Sequence, residues 1–365
     1  MRIVVFGGGM QGRVIAKNLA ARSEKPEIVI ADINEITGLD KGISFRKTNV
    51  LDKKDVSEAV KGADSAVLAV PSSIAHDALQ NLIEAGIPVV DVSFTPDPPL
   101  SLNDLAKSKG ACVVVDCGVA PGLSHILVGN AYAQLGGLDS ARILVGGMAQ
   151  NPPPVFHHAV YFNPSDLLAE YVRPARARVG GKEISPAPLE AEIETYTDHE
   201  AGLLDSFLSD GLRSLLTSYP DVPEMVERTL RVHGHMDTMK NLGELGLFDD
   251  DAIHATAKKL GTKYSADKYP DYLLMVVEAK RGNKTMAWRL IDRCKNGESA
   301  MSRTTGYTTA AVAMVLATKK FTTPGVHAPE KLGEVGNLAQ VVIDDLKERG
   351  VVTEVVSASS EAVRV

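Results

Sequence analysis

Four short stretches carry the residue types that chemistry needs. The first, "FGGGMQG", places Gly7, Gly9 and Gly12 in GxGxxG spacing at the end of an apolar run. In that spacing one glycine permits a tight turn, one lets backbone approach a pyrophosphate, and one lets a helix pack closely on a strand. Met10 and Gln11 lie inside the same loop, where a helix start would offer free N–H groups to the phosphates. Asp32 stands 20 residues beyond Gly12, at the end of the next apolar run. A carboxylate there accepts hydrogen bonds from both ribose hydroxyls and repels a 2′-phosphate, which points to NAD over NADP.

The second stretch, "VVVDCGVAPGLSH" (113–125), ends a strand-like run on Asp116 and Cys117. A carboxylate buried there needs a cation or several donors, so Asp116 is either a site residue or an acid held by the following helix start. Cys117 behaves more often as a packed apolar side chain than as a nucleophile, and is counted here among substrate contacts. The third, "SDGLRSLL" (209–216), brings Asp210 and Arg213 onto a loop that opens a helix. The fourth, "RTLRVHGHMDTMK" (228–240), places Arg231, His233 and His235 around a strand end. Arg231 could clamp a carboxylate through its bidentate fork, or could form a surface ion pair. In an extended run His233 and His235 share a face, but no third ligand has a recognisable spacing, so no metal is expected.

These residues need a scaffold, and the chain alternates accordingly. Six strand-like runs, "RIVVF", "EIVIA", "ISFRKTNV", "SAVLAV", "IPVVDV" and "ACVVVD", are separated by helix-like segments such as 73–85. That alternation predicts a parallel, doubly wound α/β sheet, which binds ligands beyond the carboxyl ends of its strands. Further cofactor contacts follow from topology: Asp52 after strand three near an adenine, Val70 and Pro71 after strand four, and Ser93 at the end of strand five. From about 140 to 300 the texture becomes strand-rich. Strands are expected at 141–148, 156–162 and 176–184, with hairpin turns at Gly180–Gly181 and Gly282–Asn283. This predicts an inserted α+β domain with a largely antiparallel or mixed sheet. Helices over 302–320 and 337–350 would return to the first domain, so the expected domains are 1–125 with 301–365, and 126–300. The substrate would lie between them.

Bulk properties narrow the function classes. At 365 residues, with 44% apolar and 23% charged residues, two ordinary globular domains are expected. A formal charge of −7 argues against nucleic acid or an anionic membrane as partner. Three cysteines without a CxxC pair suit a reduced, cytoplasmic setting. The chain opens directly on a strand, so no signal peptide is expected, and no apolar run reaches membrane-span length.

The ordered set "VVFGGGMQG…AD", "DCGVAPGLSH", "GGMAQNPPP", "NPSDLLAEYVRPAR…GGK", "SDGLRSLL", "RTLRVHGHMDTMKNLGELGLF" and "AMSRTTGYTTAAVA" resembles the saccharopine dehydrogenase-like superfamily, over residues 1 to about 350. Within it the resemblance is closest to the L-lysine 6-dehydrogenases. It implies a Rossmann domain binding NAD or NADP and an α+β substrate and dimerisation domain, hence a homodimer or higher homo-oligomer. It implies oxidation of the ε-amine of L-lysine to allysine, which cyclises, with ammonia released. Saccharopine or another amine is the alternative substrate. The resemblance assigns Arg231 to the substrate α-carboxylate, Asp210 and Asp116 to its surroundings, and Thr305 with Gly306 to the nicotinamide. His235 would be the base that frees the amine lone pair.

Overall fold

The computed structural model describes residues 1–96 and 98–356. The six apolar runs form β1 (Arg2–Phe6), β2 (Glu27–Asp32), β3 (Ile43–Lys47), β4 (Ser65–Leu68), β5 (Val89–Asp91) and β6 (Cys112–Val114). With a seventh strand, Gly325–His327, they form one sheet in the order Gly325–His327, β6, β5, β4, β1, β2, β3. Every neighbouring pair is parallel. Near-continuous runs of Val, Ile and Ala suit strands covered on both faces, and Ile3 to Phe6 are fully buried. The order reverses between β1 and β4, which makes a topological switch point at the end of those two strands. The expected doubly wound α/β sheet is present, with one strand more than expected. Gly325–His327 is only three residues long, too short to show a period.

The chain divides into two compact units, residues 1–130 with 302–350, and residues 131–301 with 351–356. The second unit holds a nine-stranded mixed sheet. At its centre Ser140–Ala149 runs parallel to Glu224–Val232 and antiparallel to Asp271–Arg281. Gly202–Leu208 and Glu194–Asp198 extend it on one side, Lys284–Arg293 and Thr353–Val355 on the other. The hairpin turns fall at the expected glycines, between Val179 and Lys182 and between Arg281 and Lys284.

Three expectations change. Residues 156–162 are not a strand: His157 takes a left-handed φ of 54°, and only Val160 makes an isolated bridge. The apolar and aromatic residues there pack as an irregular segment against the helices Pro164–Val172 and His235–Glu244. His233 and His235 do not share an extended face, because Gly234 turns left-handed (φ 90°) and His235 begins a helix. The C-terminal segment does not all return to the first unit. Thr353–Val355 pairs with Lys284–Arg293 in the second sheet, and the expected boundary at 365 lies outside the described residues.

Candidate functional site

The glycine loop sits at the switch point. Gly7 has a φ of 101°, and a Cβ there would lie 2.1 Å from the Ala69 carbonyl oxygen at the end of β4. A Cβ on Gly12 would lie 1.8 Å from the Gly7 oxygen, so this glycine lets the helix Met10–Ala20 settle onto β1. A Cβ on Gly9 would meet nothing within 4 Å. The backbone there is open, as close approach of a phosphate requires. Gly9 caps the helix without a side-chain acceptor, and the first turn has no acid. The positive end of an eleven-residue helix is therefore left for an anion.

Asp32 ends β2 with both oxygens fixed: Gly8 donates its N–H to Oδ2 at 2.7 Å, and Asn34 donates to Oδ1 at 2.8 Å. Each oxygen keeps lone-pair capacity for a hydroxyl. Met10 is exposed, with Sδ 3.5 Å from Ser302 Oγ, while Gln11 Nε2 donates to the Ser302 carbonyl at 3.0 Å. Gln11 thereby ties the loop to the helix Ala300–Ala317, whose Gly306 would meet Gln11 Nε2 at 2.8 Å if it carried a Cβ.

At the carboxyl ends of the remaining strands the candidates divide into loop walls and local fasteners. Asp52 caps the helix Lys53–Ala59, accepting from Lys54 and Asp55 at 2.8 and 3.1 Å. Pro71 opens the helix Ser72–Glu84, and the Val70 N–H reaches Ser93 Oγ at 3.3 Å. Ser93 in turn donates its N–H to Asp91 Oδ1 at 2.7 Å. Asp91 is a site feature missed at the sequence level. It is buried at the end of β5, and burial pushes its carboxyl up to about 7, with the Asp116 charge adding to the rise and the Ser93 hydrogen bonds opposing it. Asp116 is also buried, in a left-handed conformation with a φ of 52°. Cys117, beside them, is fully buried and its thiol is pushed far up by desolvation and by both carboxylates. A thiol so placed is inert and serves as a packed apolar side chain. Thr309 donates to the Cys117 carbonyl at 2.7 Å, and Thr305 Cγ2 lies 3.2 Å from where a Gly118 Cβ would stand.

In the second unit the side chains centre on Arg231. Along Glu224–Val232, Glu227, Thr229 and Arg231 share one face of the strand. Arg231 is buried, and donates from Nε to Tyr171 Oη at 2.9 Å, from Nη1 to the Leu230 carbonyl at 3.0 Å and from Nη2 to Glu170 Oε2 at 2.5 Å. A guanidinium has five N–H bonds, so one remains on each Nη beyond these three. The Tyr171 and Phe207 rings lie 5.9 and 5.8 Å from its centre.

His235 is fully buried and uses both nitrogens. Nδ1 lies 2.6 Å from the Phe156 carbonyl, which can only accept, so Nδ1 carries the hydrogen. Nε2 then accepts the Tyr171 O–H at 2.8 Å. Burial and the Arg231 charge lower its pKa to about 3, so the imidazole is neutral. His235 thus orders Tyr171, which orders Arg231.

Asp210 is held by Arg176, which donates from Nε at 2.7 Å, Nη2 at 2.9 Å and its backbone N–H at 3.2 Å. Arg213 is buried with a φ of 43°. Gly211 lies directly on the Glu227 carboxyl, where a Cβ would be 1.6 Å from Oε1. Glu227 is buried, its Oε2 has no partner, and burial together with Glu170 and Asp210 pushes its pKa up to about 8. His233 is half-exposed and pairs through Nδ1 with Asp205 at 2.7 Å. Among the described residues no group of acids, histidines and cysteines could hold a metal, and no helix is long and apolar enough to cross a membrane.

Glu170, Tyr171 and Glu227 escaped sequence reading for different reasons. The two-residue period that puts Glu227 on the face of Arg231 was available. Glu170 and Tyr171 reach Arg231 only through packing of the helix Pro164–Val172, whose start Asn163 caps by accepting from Ser165 and Asp166.

Comparison with known proteins agrees with this architecture. Residues 3–114 match the family of the saccharopine dehydrogenase NADP binding domain, and residues 118–351 that of the saccharopine dehydrogenase C-terminal domain. An alpha-aminoadipic semialdehyde synthase of Arabidopsis thaliana is 22% identical over 239 residues, 59% of this chain, and the match spans only 22% of that longer protein. The apo saccharopine dehydrogenase (L-Glu forming) of Saccharomyces cerevisiae superposes with a TM-score of 0.77 at 16% identity, covering 98% of this chain and 100% of that one. A DAP dehydrogenase of C. glutamicum in complex with DAP superposes with a TM-score of 0.50 at 15% identity, covering 96% and 99%.

Proposed function

Because the chain belongs to the saccharopine dehydrogenase family, we propose that it is a pyridine-nucleotide-dependent dehydrogenase that oxidises the ε-amine of L-lysine to allysine, using NAD. The observation that carries an amino-acid substrate is Arg231. It is a buried guanidinium with a free N–H on each Nη, held in place by the Tyr171–His235 chain. The choice of NAD rests on Asp32, whose carboxylate is fixed at the end of β2 where a 2′-phosphate would meet negative charge. Gly7, Gly9, Met10, Gln11 and Gly12 would hold the pyrophosphate, and Val70, Pro71, Ser93 and Thr305 would flank the nicotinamide side.

When bound, the nicotinamide accepts a hydride. The protein must supply an unprotonated amine, because the nitrogen lone pair has to push into the C–N bond as hydride departs. His235 is a positioning residue in this reading, since its Nε2 already accepts from Tyr171. The base falls to the buried carboxyl of Asp91 at the end of β5, which burial and the neighbouring Asp116 charge hold at about 7, a value matched to proton transfer at neutral pH. Asp210, bound to Arg176, holds the loop that carries Gly211 and Arg213.

Saccharopine is the second reading, favoured by both family matches and by the yeast enzyme of the same fold. Formation of reduced cofactor from NAD and from NADP, across lysine, saccharopine, diamines and other amino acids, decides between them. Lysine with NAD should give the highest kcat/KM. Preferential turnover of saccharopine would install the second reading, and turnover of no amine would defeat both.

A further inference from the structure

The second sheet cannot be flat. Glu194–Asp198 and Lys284–Arg293 stand five strand spacings apart along it, about 24 Å on a flat sheet. Yet Arg289 of one strand donates to both oxygens of Asp198 on the other, at 2.8 and 2.9 Å. Arg142, three spacings from Glu194, likewise reaches its carboxylate at 2.6 Å. Two side chains do not bridge such gaps, so the sheet is rolled, and ion pairs close its seam in place of backbone hydrogen bonds. The concave face carries Leu144, Met148, Leu204, Leu230 and Leu274, a core separate from the one under the helices.

At one end of the roll lies a cavity of about 390 Å³, within the range of roughly 300–1,000 Å³ usual for small-molecule sites, which favour the mouths of rolled sheets. Leu204, Val232 and Tyr272 give it an apolar floor continuous with that core. Gln150 and Pro152 form a wall, and the half-exposed Glu200 and Arg293 stand at the rim. Val232 follows Arg231 in the strand Glu224–Val232, so their side chains point to opposite faces and the cavity is distinct from the Arg231 site. The rim pair is loose. Arg293 donates once to Glu200 Oε2, at 3.3 Å, while Arg289 holds Oε1 at 3.0 Å. The other four guanidinium N–H groups of Arg293 have no hydrogen-bond acceptor among the described residues, and its centre lies 5.7 Å from the Tyr272 ring.

We propose that this cavity binds a free α-amino acid with an apolar side chain about the size of leucine's. Its carboxylate sits on Arg293, its ammonium on Glu200, and its side chain on Leu204, Val232 and Tyr272. A carboxylate alone would take Arg293 and leave Glu200 with one partner fewer, and an amine alone would strand Arg293. An α-amino acid carries both charges on neighbouring atoms, so it exchanges one ion pair for two. A charged side chain such as lysine's would lose its water to the apolar floor without gaining a partner. The site is independent of the reaction proposed above.

Calorimetric titration of the full chain tests it with L-leucine, 3-methylbutylamine (leucine without its carboxylate) and 4-methylpentanoate (leucine without its amine). Leucine should fill one site per chain and bind at least tenfold more tightly than either. Arg293→Gln and Glu200→Gln replace side chains that are 50% and 40% exposed, so both should keep the wild-type urea midpoint. Arg293→Gln should weaken leucine and 4-methylpentanoate alike, by roughly tenfold, the usual cost of a lost hydrogen bond to a charged group. Glu200→Gln should weaken leucine by a similar factor without weakening 4-methylpentanoate, a split that a purely structural role would not produce. Arg231→Lys should leave leucine binding within about twofold of the wild type. Leucine binding kept in Arg293→Gln but lost in Arg231→Lys would move the ligand to the other face and overturn the proposal. So would a wild type that binds no leucine, or a wild-type dimer that Arg293→Gln splits in sedimentation, since a second copy would then cover the cavity.

Discussion

The three glycines of the nucleotide loop look alike in sequence but differ physically, and that difference can be measured. Gly12→Ala puts a methyl group 1.8 Å from a backbone oxygen, which must separate helix from strand, so both stability and cofactor affinity should fall. Gly9→Ala puts the methyl in open space. Replacing glycine by alanine at a helix cap costs a few tenths of a kcal/mol to ~1 kcal/mol, so its melting temperature should hardly move while NAD affinity drops about tenfold or more. Thermal unfolding with and without NAD distinguishes them; equal losses of stability would mean that Gly9 is packed. Arg231 is the corresponding residue in the second unit. Arg231→Lys keeps the charge but loses the fork that reaches Tyr171, Leu230 and Glu170 together. It should raise KM for the amino acid by at least tenfold and leave KM for NAD within about twofold. Parallel changes in both would assign the residue a purely structural role.

At the scale of elements, the strand Glu224–Val232 carries a cost that its sequence discloses only by period. Its Glu227 is neutral in the fold up to about pH 8, whereas the unfolded chain ionises it near 4.5. The folded state therefore holds a proton that the unfolded state releases, and stability from this group is present below pH 4.5 and is lost as pH rises through about 8. Glu227→Gln should flatten that decline in denaturant midpoints between pH 5 and 8.5; an unchanged slope would mean Glu227 is solvated. What could be read in advance follows the same logic of period and length. β1 to β6 and the two long hairpin strands were legible because each apolar run spans a whole strand or is bounded by glycine turns. The segment 156–162 differs from the expected strand because its run of aromatic and apolar residues has the composition of one, while the deciding feature, a left-handed histidine, leaves no compositional mark. The loop glycines and Asp32 were legible as a nucleotide site because one local turn makes them. Tyr171 and Glu170 were not, because only tertiary packing brings them to Arg231.

At the scale of the whole chain, the second sheet ends on a strand from beyond the first unit's last helix, and this return has an energetic consequence. Thr353–Val355 pairs with Lys284–Arg293, setting Val355 opposite Trp288 and Glu354 opposite Arg289, and Val351 just before it is fully buried. Removing residues 351–365 would leave the outer edge of Lys284–Arg293 without its ladder and take away a buried valine, worth about 1.5–3 kcal/mol on its own. The chain has one tryptophan, Trp288, buried in Lys284–Arg293 beside that terminal strand, so its fluorescence reports the second unit. Urea unfolding followed by Trp288 should shift to lower concentration in the truncated chain. The glycine loop, Asp32 and Asp91 lie on a different sheet with its own core, so NAD affinity should be retained. If NAD binding were lost in step with the fluorescence transition, the terminal strand would be supporting the nucleotide-binding unit as well, and the two sheets would not be separable in stability.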